Sequence, residues 1–350
     1  MKMMIAALSL FTTTLSLTIL FFGYQFLGSG TANDATEILF DVTPGQSMST
    51  VAANLESQHL IKNAWLFSKY SRFKGTNSKL KKGEYSLNQA MTPNQVLNVI
   101  TSGKSVMRSL TIPEGKNIFD IADILERSGY GTKQDFLKLA TDKEFVQSLL
   151  GEKLESLEGY LFPDTYKVTK FDTQKEIIQQ MTTHFLNVYK DIEPMAQKLN
   201  WSRSKLITFA SIVEKETGAA SDRPLVSSVF HNRLKTNMKL QTDPTVLYGK
   251  AMLLGAMPNN ITRADLQTPT KYNSYTNFGL PPTPISNPGR DAILAAVNPA
   301  NTKYIYFVSR NDGTTAFTET LAQHNAAVQK FQMNAKNRDG KSWRDLNPGK

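Results

Sequence analysis

Two stretches of the chain repeat one pattern at an offset of seventy residues (112 − 42). In "VTPGQSMSTVAANL" (42–55) and "IPEGKNIFDIADIL" (112–125), a β-type segment ends in a Pro/Gly turn. Apolar residues then recur at i, i+3, i+4 and i+7, the spacing of an amphipathic helix. Gly45 matches Gly115, Met48 matches Ile118, Val51 matches Ile121, Ala52 matches Ala122 and Leu55 matches Leu125. Each copy therefore reads as strand, turn and helix.

Between the copies, "KLKKGEYSLNQAMTPNQVLNVITSGK" predicts a short strand, a turn, a helix opened by Thr92-Pro93 and a stop at Gly103. "LEGYLFPDTYKV" (157–168) is rich in aromatics and broken by Pro163-Asp164. A helical pattern then runs over 173–200, interrupted or kinked near Pro194. Ser202 suits the N-cap of the next helix, which carries "ASIVEKETG" (210–218) and would stop at Gly218. Another helix is expected over 224–235. The stretch 241–289 is poor in helix signals and holds Pro244, Pro258, Pro269, Pro281, Pro282, Pro284 and Pro288. It also holds Tyr248, Tyr272 and Tyr275. Disordered low-complexity chain lacks such aromatics, so the stretch reads as a long ordered loop walling a cleft. A helix at 291–297, a hairpin around Asp312-Gly313 and a helix near Leu321 complete the pattern. Helices with scattered short strands place the fold in the α+β class.

The N-terminus has a different texture. After Lys2, "MMIAALSLFTTTLSLTILFFGYQFLG" carries no charge, and none appears until Asp34. A spanning helix needs about 20 apolar residues, whereas a cleaved signal has an apolar region of only about 7–15. The run is long enough to be a retained single-pass anchor over 1–28. The short Lys2 end would stay inside and the large domain would face outward. The net charge of +10 then suits an anionic wall or membrane rather than nucleic acid. With no cysteine, disulfides and thiolate metal sites are excluded.

The candidate chemistry narrows by elimination. His59, His184, His231 and His324 stand at no metal-ligand spacing, so neither a metal nor another cofactor is expected. Ser211 and Lys215 are four apart, one too many for S-x-x-K, and the companion motifs are missing. Carboxylates remain. On a wheel of about 100° per residue, Leu206, Phe209, Ala210 and Val213 mark a buried stripe and Lys215 points away from it. Glu214 and Glu216 fall just beyond its two edges, beside apolar neighbours. A carboxylate pressed against apolar atoms keeps its proton to higher pH, as a general acid for glycosidic oxygen requires. The wheel does not separate the two.

"EGYLFPDTY", "ASIVEKETG", "VFHNRL", "KLQTDPTVLYG", "YNSYTNFGLPPTPISNPG" and "YFVSRNDGTTAFTETLAQHN" together resemble the endolytic murein transglycosylase family, over almost the whole chain. "FDVTPGQSMSTVAANL" also resembles a LysM module, a small peptidoglycan-binding unit. The family resemblance implies cleavage of the bond from N-acetylmuramic acid to N-acetylglucosamine. The muramic C6 hydroxyl is then the nucleophile, the product ends in a 1,6-anhydro ring, and one glutamate suffices as acid and base. Matching the motif gives Glu216 that role. Glu158, Glu214, Gln241, Asp243, Tyr272, Asn273 and Tyr275 become candidates for holding the glycan. The expected organisation is an anchor at 1–28, a LysM-like region at 29–107, a second strand–turn–helix region at 108–170, a catalytic domain at 171–335 and a polar tail at 336–350. The resemblance further implies the outer face of the cytoplasmic membrane, nascent peptidoglycan strands as substrate and penicillin-binding synthases as partners. A non-catalytic wall-binding protein and a two-carboxylate muramidase hydrolase are the rival readings.

Overall fold

A computed structural model of the chain describes residues 30–333, Gly218 excepted, with scattered positions before residue 30. The expected anchor lies largely outside the described residues, and so do the stop at Gly218 and the tail at 336–350. Among the described residues, no helix is long and apolar enough to cross a membrane.

The chain divides into two compact units, one of Met1–Ser109 with Lys167–Asp172, the other of Leu110–Tyr166 with Thr173–Lys350. In the first, β1 (Ile38–Val42) pairs antiparallel with β2 (Gly83–Leu87), with Ile38 opposite Leu87 and Val42 opposite Gly83. Between them run α1 (Met48–Ser57) and α2 (Ala64–Phe73), and α3 (Pro93–Ser102) follows β2. Phe40, Val42, Val51, Leu55, Phe67, Tyr85, Leu97 and Ile100 form the core. Thr92 and Gln95 close a capping box on α3, and Gly103 ends it in the left-handed conformation, as the Thr-Pro and Gly signals predict.

β3 (Met107–Ile112) and β4 (Asp164–Thr169) make a second two-stranded sheet, and the division between the units falls within both strands. The internal repeat is visible in the backbone. α4 (Ile118–Arg127) has the same ten-residue length as α1. The turns before the two helices put Gly45 at φ +82° and Gly115 at φ +72°. Ser47 and Asn117 cap the helices that follow.

The second unit continues with α5 (Lys133–Ala140), α6 (Lys143–Leu150) and α7 (Gln174–Lys198), which stays helical through Pro194. α8 (Arg203–Glu216) starts at its Ser202 cap. Every residue from Leu206 to Glu214 is buried, nine in succession. The stripe read from the wheel is thus too narrow. Elements pack around the whole of α8, so burial rather than amphipathicity fixes its place. One of those buried positions ties a distant segment down. The Ser211 hydroxyl donates to Thr208 O at 2.7 Å and accepts from Ile285 N at 3.1 Å, while Ser286 Oγ donates to Ser211 O at 3.2 Å.

α9 (Arg223–Lys235) follows. The stretch 241–289 is not one loop. It contains α10 (Asp243–Leu254) and the short α11 (Arg263–Gln267). The Asp243-Pro244 pair, which lies in the stretch read as poor in helix signals, occupies the first helical positions, where proline is favoured because its missing N–H has no partner to lose. Beyond α11 the segment has neither helix nor strand and is ordered by side chains. Asn273 Nδ2 reaches the carbonyls of Asp265, Leu266 and Thr268, and its Oδ1 accepts from Tyr275 N at 2.8 Å. α12 (Arg290–Val297), an antiparallel hairpin of β5 (Tyr306–Ser309) and β6 (Thr315–Thr318), and α13 (Leu321–Val328) close the unit. Among the described residues, helices with three small two-stranded sheets agree with the α+β class.

Candidate active site

Glu214 and Glu216 leave α8 into different surroundings. Glu214 is buried. Its Oε2 accepts from Gly289 N at 3.1 Å and its Oε1 from the Arg223 guanidinium at 3.3 Å. Gly289 stands at the N-cap of α12 and, having no side chain, offers no capping bond. Glu214 therefore supplies the anion that a helix N-terminus favours. Arg223 also reaches Glu114 at 3.1 Å. Burial raises the Glu214 carboxyl above the usual range, with Arg223 opposing and Glu114 adding to the rise. Both of its oxygens are already committed within the protein.

Glu216, the last residue of α8, is half-buried. Its Oε1 accepts a hydrogen bond from the Thr242 hydroxyl. Among the described residues, no hydrogen bond reaches Oε2. Burial pushes this carboxyl up to about 7; the Thr242 hydroxyl and the charges of Arg233 and Lys215 pull it down, and Asp243 adds to the rise. A group poised there holds a proton near neutral pH and can also give it up.

A second segment builds the other wall of this site. Arg233 is buried at the end of α9, donating to Leu240 O at 2.6 Å and Ile305 O at 2.7 Å, so it fixes the chain entering 241–243. Gln241 sits at φ +49° in the left-handed region, where a side chain carries strain of about 1–3 kcal/mol of the kind that gathers at functional sites. Thr242 is buried and held on both sides. Its N–H donates to Ser274 Oγ at 2.9 Å, and its carbonyl accepts from Thr245 Oγ1 at 2.7 Å. Asp243 is exposed and accepts from the Tyr275 hydroxyl at 2.7 Å.

The structure thus gathers Glu216, Asp243 and Tyr275 around Thr242, with Gln241 adjoining. The other sequence candidates lie elsewhere. Asn273 is fully buried and spends its amide on the loop. Tyr272 is half-buried, edge-on to Tyr248 with ring centroids 5.1 Å apart, and its hydroxyl meets Thr283 at 2.8 Å. Glu158 is fully buried, its Oε2 accepting from Ile118 N at 3.0 Å and its Oε1 from Asn287 Nδ2 at 3.1 Å. Asn287 in turn accepts from Leu161 N and donates to Lys116 O, each at 2.8 Å. This cluster fastens three segments together, which gives "EGYLF" and "SNPG" a structural purpose. Thr242, Arg233 and Ser274 are contributors that the chain's pattern does not mark. Thr242 lies inside the "LQTDP" motif, but its neighbours carry the more obvious chemistry.

Burial raises the Glu158 carboxyl from its ordinary value of 4.5 to about 8, against the pull of the Ile118 and Tyr248 bonds. Because the folded protein binds this proton more tightly, the group's stabilising contribution is full below 4.5 and is lost as pH rises towards about 8. Glu158→Gln turns an amide N–H towards one of two existing donors. The expected outcome is a loss of about 1–3 kcal/mol and a shallower decline of thermal stability between pH 5 and pH 8, measured by calorimetry.

Residues 40–330 match the model of the YceG-like family. An endolytic murein transglycosylase of Bacillus subtilis is 34% identical over 325 residues, 89% of each chain. One of Streptococcus pneumoniae serotype 2 is 29% identical over 343 residues, and this chain spans 61% of its length. The crystal structure of a yceG-like protein of Listeria monocytogenes superposes with a TM-score of 0.57 at 35% identity. It covers 84% of this chain and 99% of the other.

Proposed function

This chain belongs to the YceG-like family, and on that premise we propose that it is an endolytic peptidoglycan transglycosylase with Glu216 as its one acid–base group. The carrying observation is the pair of unlike oxygens on Glu216, one bound by Thr242 and the other without a partner among the described residues, on a carboxyl raised to about 7. In the first half of the reaction the protonated carboxyl gives its proton to the glycosidic oxygen as the bond from that oxygen to the muramic C1 breaks. In the second, the C6 hydroxyl of the same muramic residue bonds to C1 and its proton passes to Glu216. One C–O bond breaks, one forms, and no water is consumed. The enzyme ends as it began, with Glu216 protonated.

Two-carboxylate glycosidases need their carboxyl groups at set separations with both free to act. Glu214 is engaged by Gly289 and Arg223, which favours the one-carboxylate route. The hydrogen-bonded pair of Asp243 and Tyr275 supports a role in meeting sugar hydroxyls. The test is the mass of the fragments released from purified glycan strands. Internal cleavage should yield fragments one water lighter than a muramidase gives. Fragments of the heavier mass overturn the one-carboxylate route, and an absence of fragments overturns the enzyme reading.

The apolar run at 3–28 supports a single-pass anchor in the cytoplasmic membrane with both units on its outer face. The strand–helix–helix–strand order of 38–87 and the LysM resemblance support a glycan-holding role for the first unit. Work on nascent strands beside penicillin-binding synthases, setting strand length, follows from the same reading.

A further inference from the structure

We propose that Thr242 is a positioning residue that assigns the acid proton of Glu216 to Oε2, the oxygen left for the substrate. The inference rests on the reading of Glu216 as the acid–base group and adds which oxygen acts, and why.

A neutral carboxyl has two ways to meet a hydroxyl. It can donate its own proton, which is then spent inside the protein. Or it can accept through its carbonyl oxygen, which leaves the O–H pointing elsewhere. Thr242 stands as the donor to Oε1. Several features hold its hydroxyl beside that oxygen. It occupies the N-cap position of α10, where a threonine ordinarily bonds the helix's free N–H groups, yet its side chain makes no capping bond. Its backbone is clamped by Ser274 and Thr245, whose hydroxyls are 2.8 Å apart and both buried. The left-handed turn at Gln241 is tied by its N–H to Ser274 O at 3.2 Å, and it sets the direction in which the chain enters Thr242. The hydroxyl arrives at Glu216 on a scaffold separate from α8. Donation to Oε1 fits both states of the cycle. It places the proton on Oε2 before cleavage and stabilises the carboxylate after it.

Thr242→Val keeps the shape and removes the donor. With wild-type fold confirmed by circular dichroism, kcat on purified glycan strands should fall about 10- to 100-fold, the size of one lost bond to a charged group. KM should change little, because Thr242 is buried behind Glu216. Activity that needs a protonated Glu216 declines above its pKa. Removing a donor that favours the charged form raises that pKa, so the alkaline limb should move up by about one unit. Thr242→Ser should restore both kcat and the limb. If the valine variant fails to fold, Thr242→Ala carries the same measurement. An unmoved limb, or a limb restored by no hydroxyl, overturns the proposal. Glu216→Gln run in parallel separates the failures. If it is inactive while Thr242→Val is normal, only the role of Thr242 falls; if it stays active, both readings fall.

Discussion

Glu216→Gln should remain folded and lose about 10³-fold or more of its strand-cleaving activity, read as anhydro ends released per enzyme per minute. The amide still accepts from Thr242 through its oxygen, and its position at the open end of α8 is unchanged, so melting temperature should stay within a few degrees. What vanishes is a transferable proton. General acid–base groups contribute about 10²–10⁴-fold, and the proposed route uses one group in both halves of the reaction. Glu214→Gln should behave in the opposite way. It weakens the charge held by Arg223 and the anion at the start of α12, so thermal stability drops while the folded fraction still cuts glycan. Activity lost in Glu214→Gln and retained in Glu216→Gln would reverse the assignment of the two residues.

The largest effect on folding is expected at Gly159. Its φ of +89° lies in the left-handed region, and a Cβ built there would stand 2.5 Å from Pro284 Cγ and 2.8 Å from Ile207 Cγ2. Both contacts are with side chains that cannot swing aside: Pro284 is a ring and Ile207 is buried in α8. Strain of about 1–3 kcal/mol from the backbone adds to overpacking of about 1–3 kcal/mol. Gly159→Ala should therefore lose about 2–6 kcal/mol of stability, a large share of the 5–15 kcal/mol typical of a folded domain. Urea denaturation of the full chain measures it. A variant as stable as wild type would mean that Pro284 does not pack against Gly159 in solution.

Much of this architecture was legible because its signals are local. Thr92-Pro93 with Gly103, Ser202, and Asp312-Gly313 mark boundaries whose hydrogen bonds close within a few residues. The repeat at 42–55 and 112–125 was legible for the same reason. α10 was hidden because Asp-Pro is shared by turns and helix starts, and its burial owes nothing to periodicity. The two glutamates were visible as unusual carboxylates. What divides their roles was not visible, because Gly289 stands 75 positions from Glu214 and Thr242 stands 26 from Glu216, and each reaches its glutamate only in the folded unit. The same holds for Glu158 and Asn287, which are separated by 129 positions.

Glu216 is also the final residue of its helix, and the peptide dipoles of α8 sum to a partial negative charge at that end. A carboxylate newly stripped of its proton there meets repulsion worth about 0.3–1 kcal/mol. Drawing the proton back from the sugar relieves it. On the proposed assignment, the helix axis biases Glu216 towards its protonated form, so each cut would leave the group ready for the next without help from solvent.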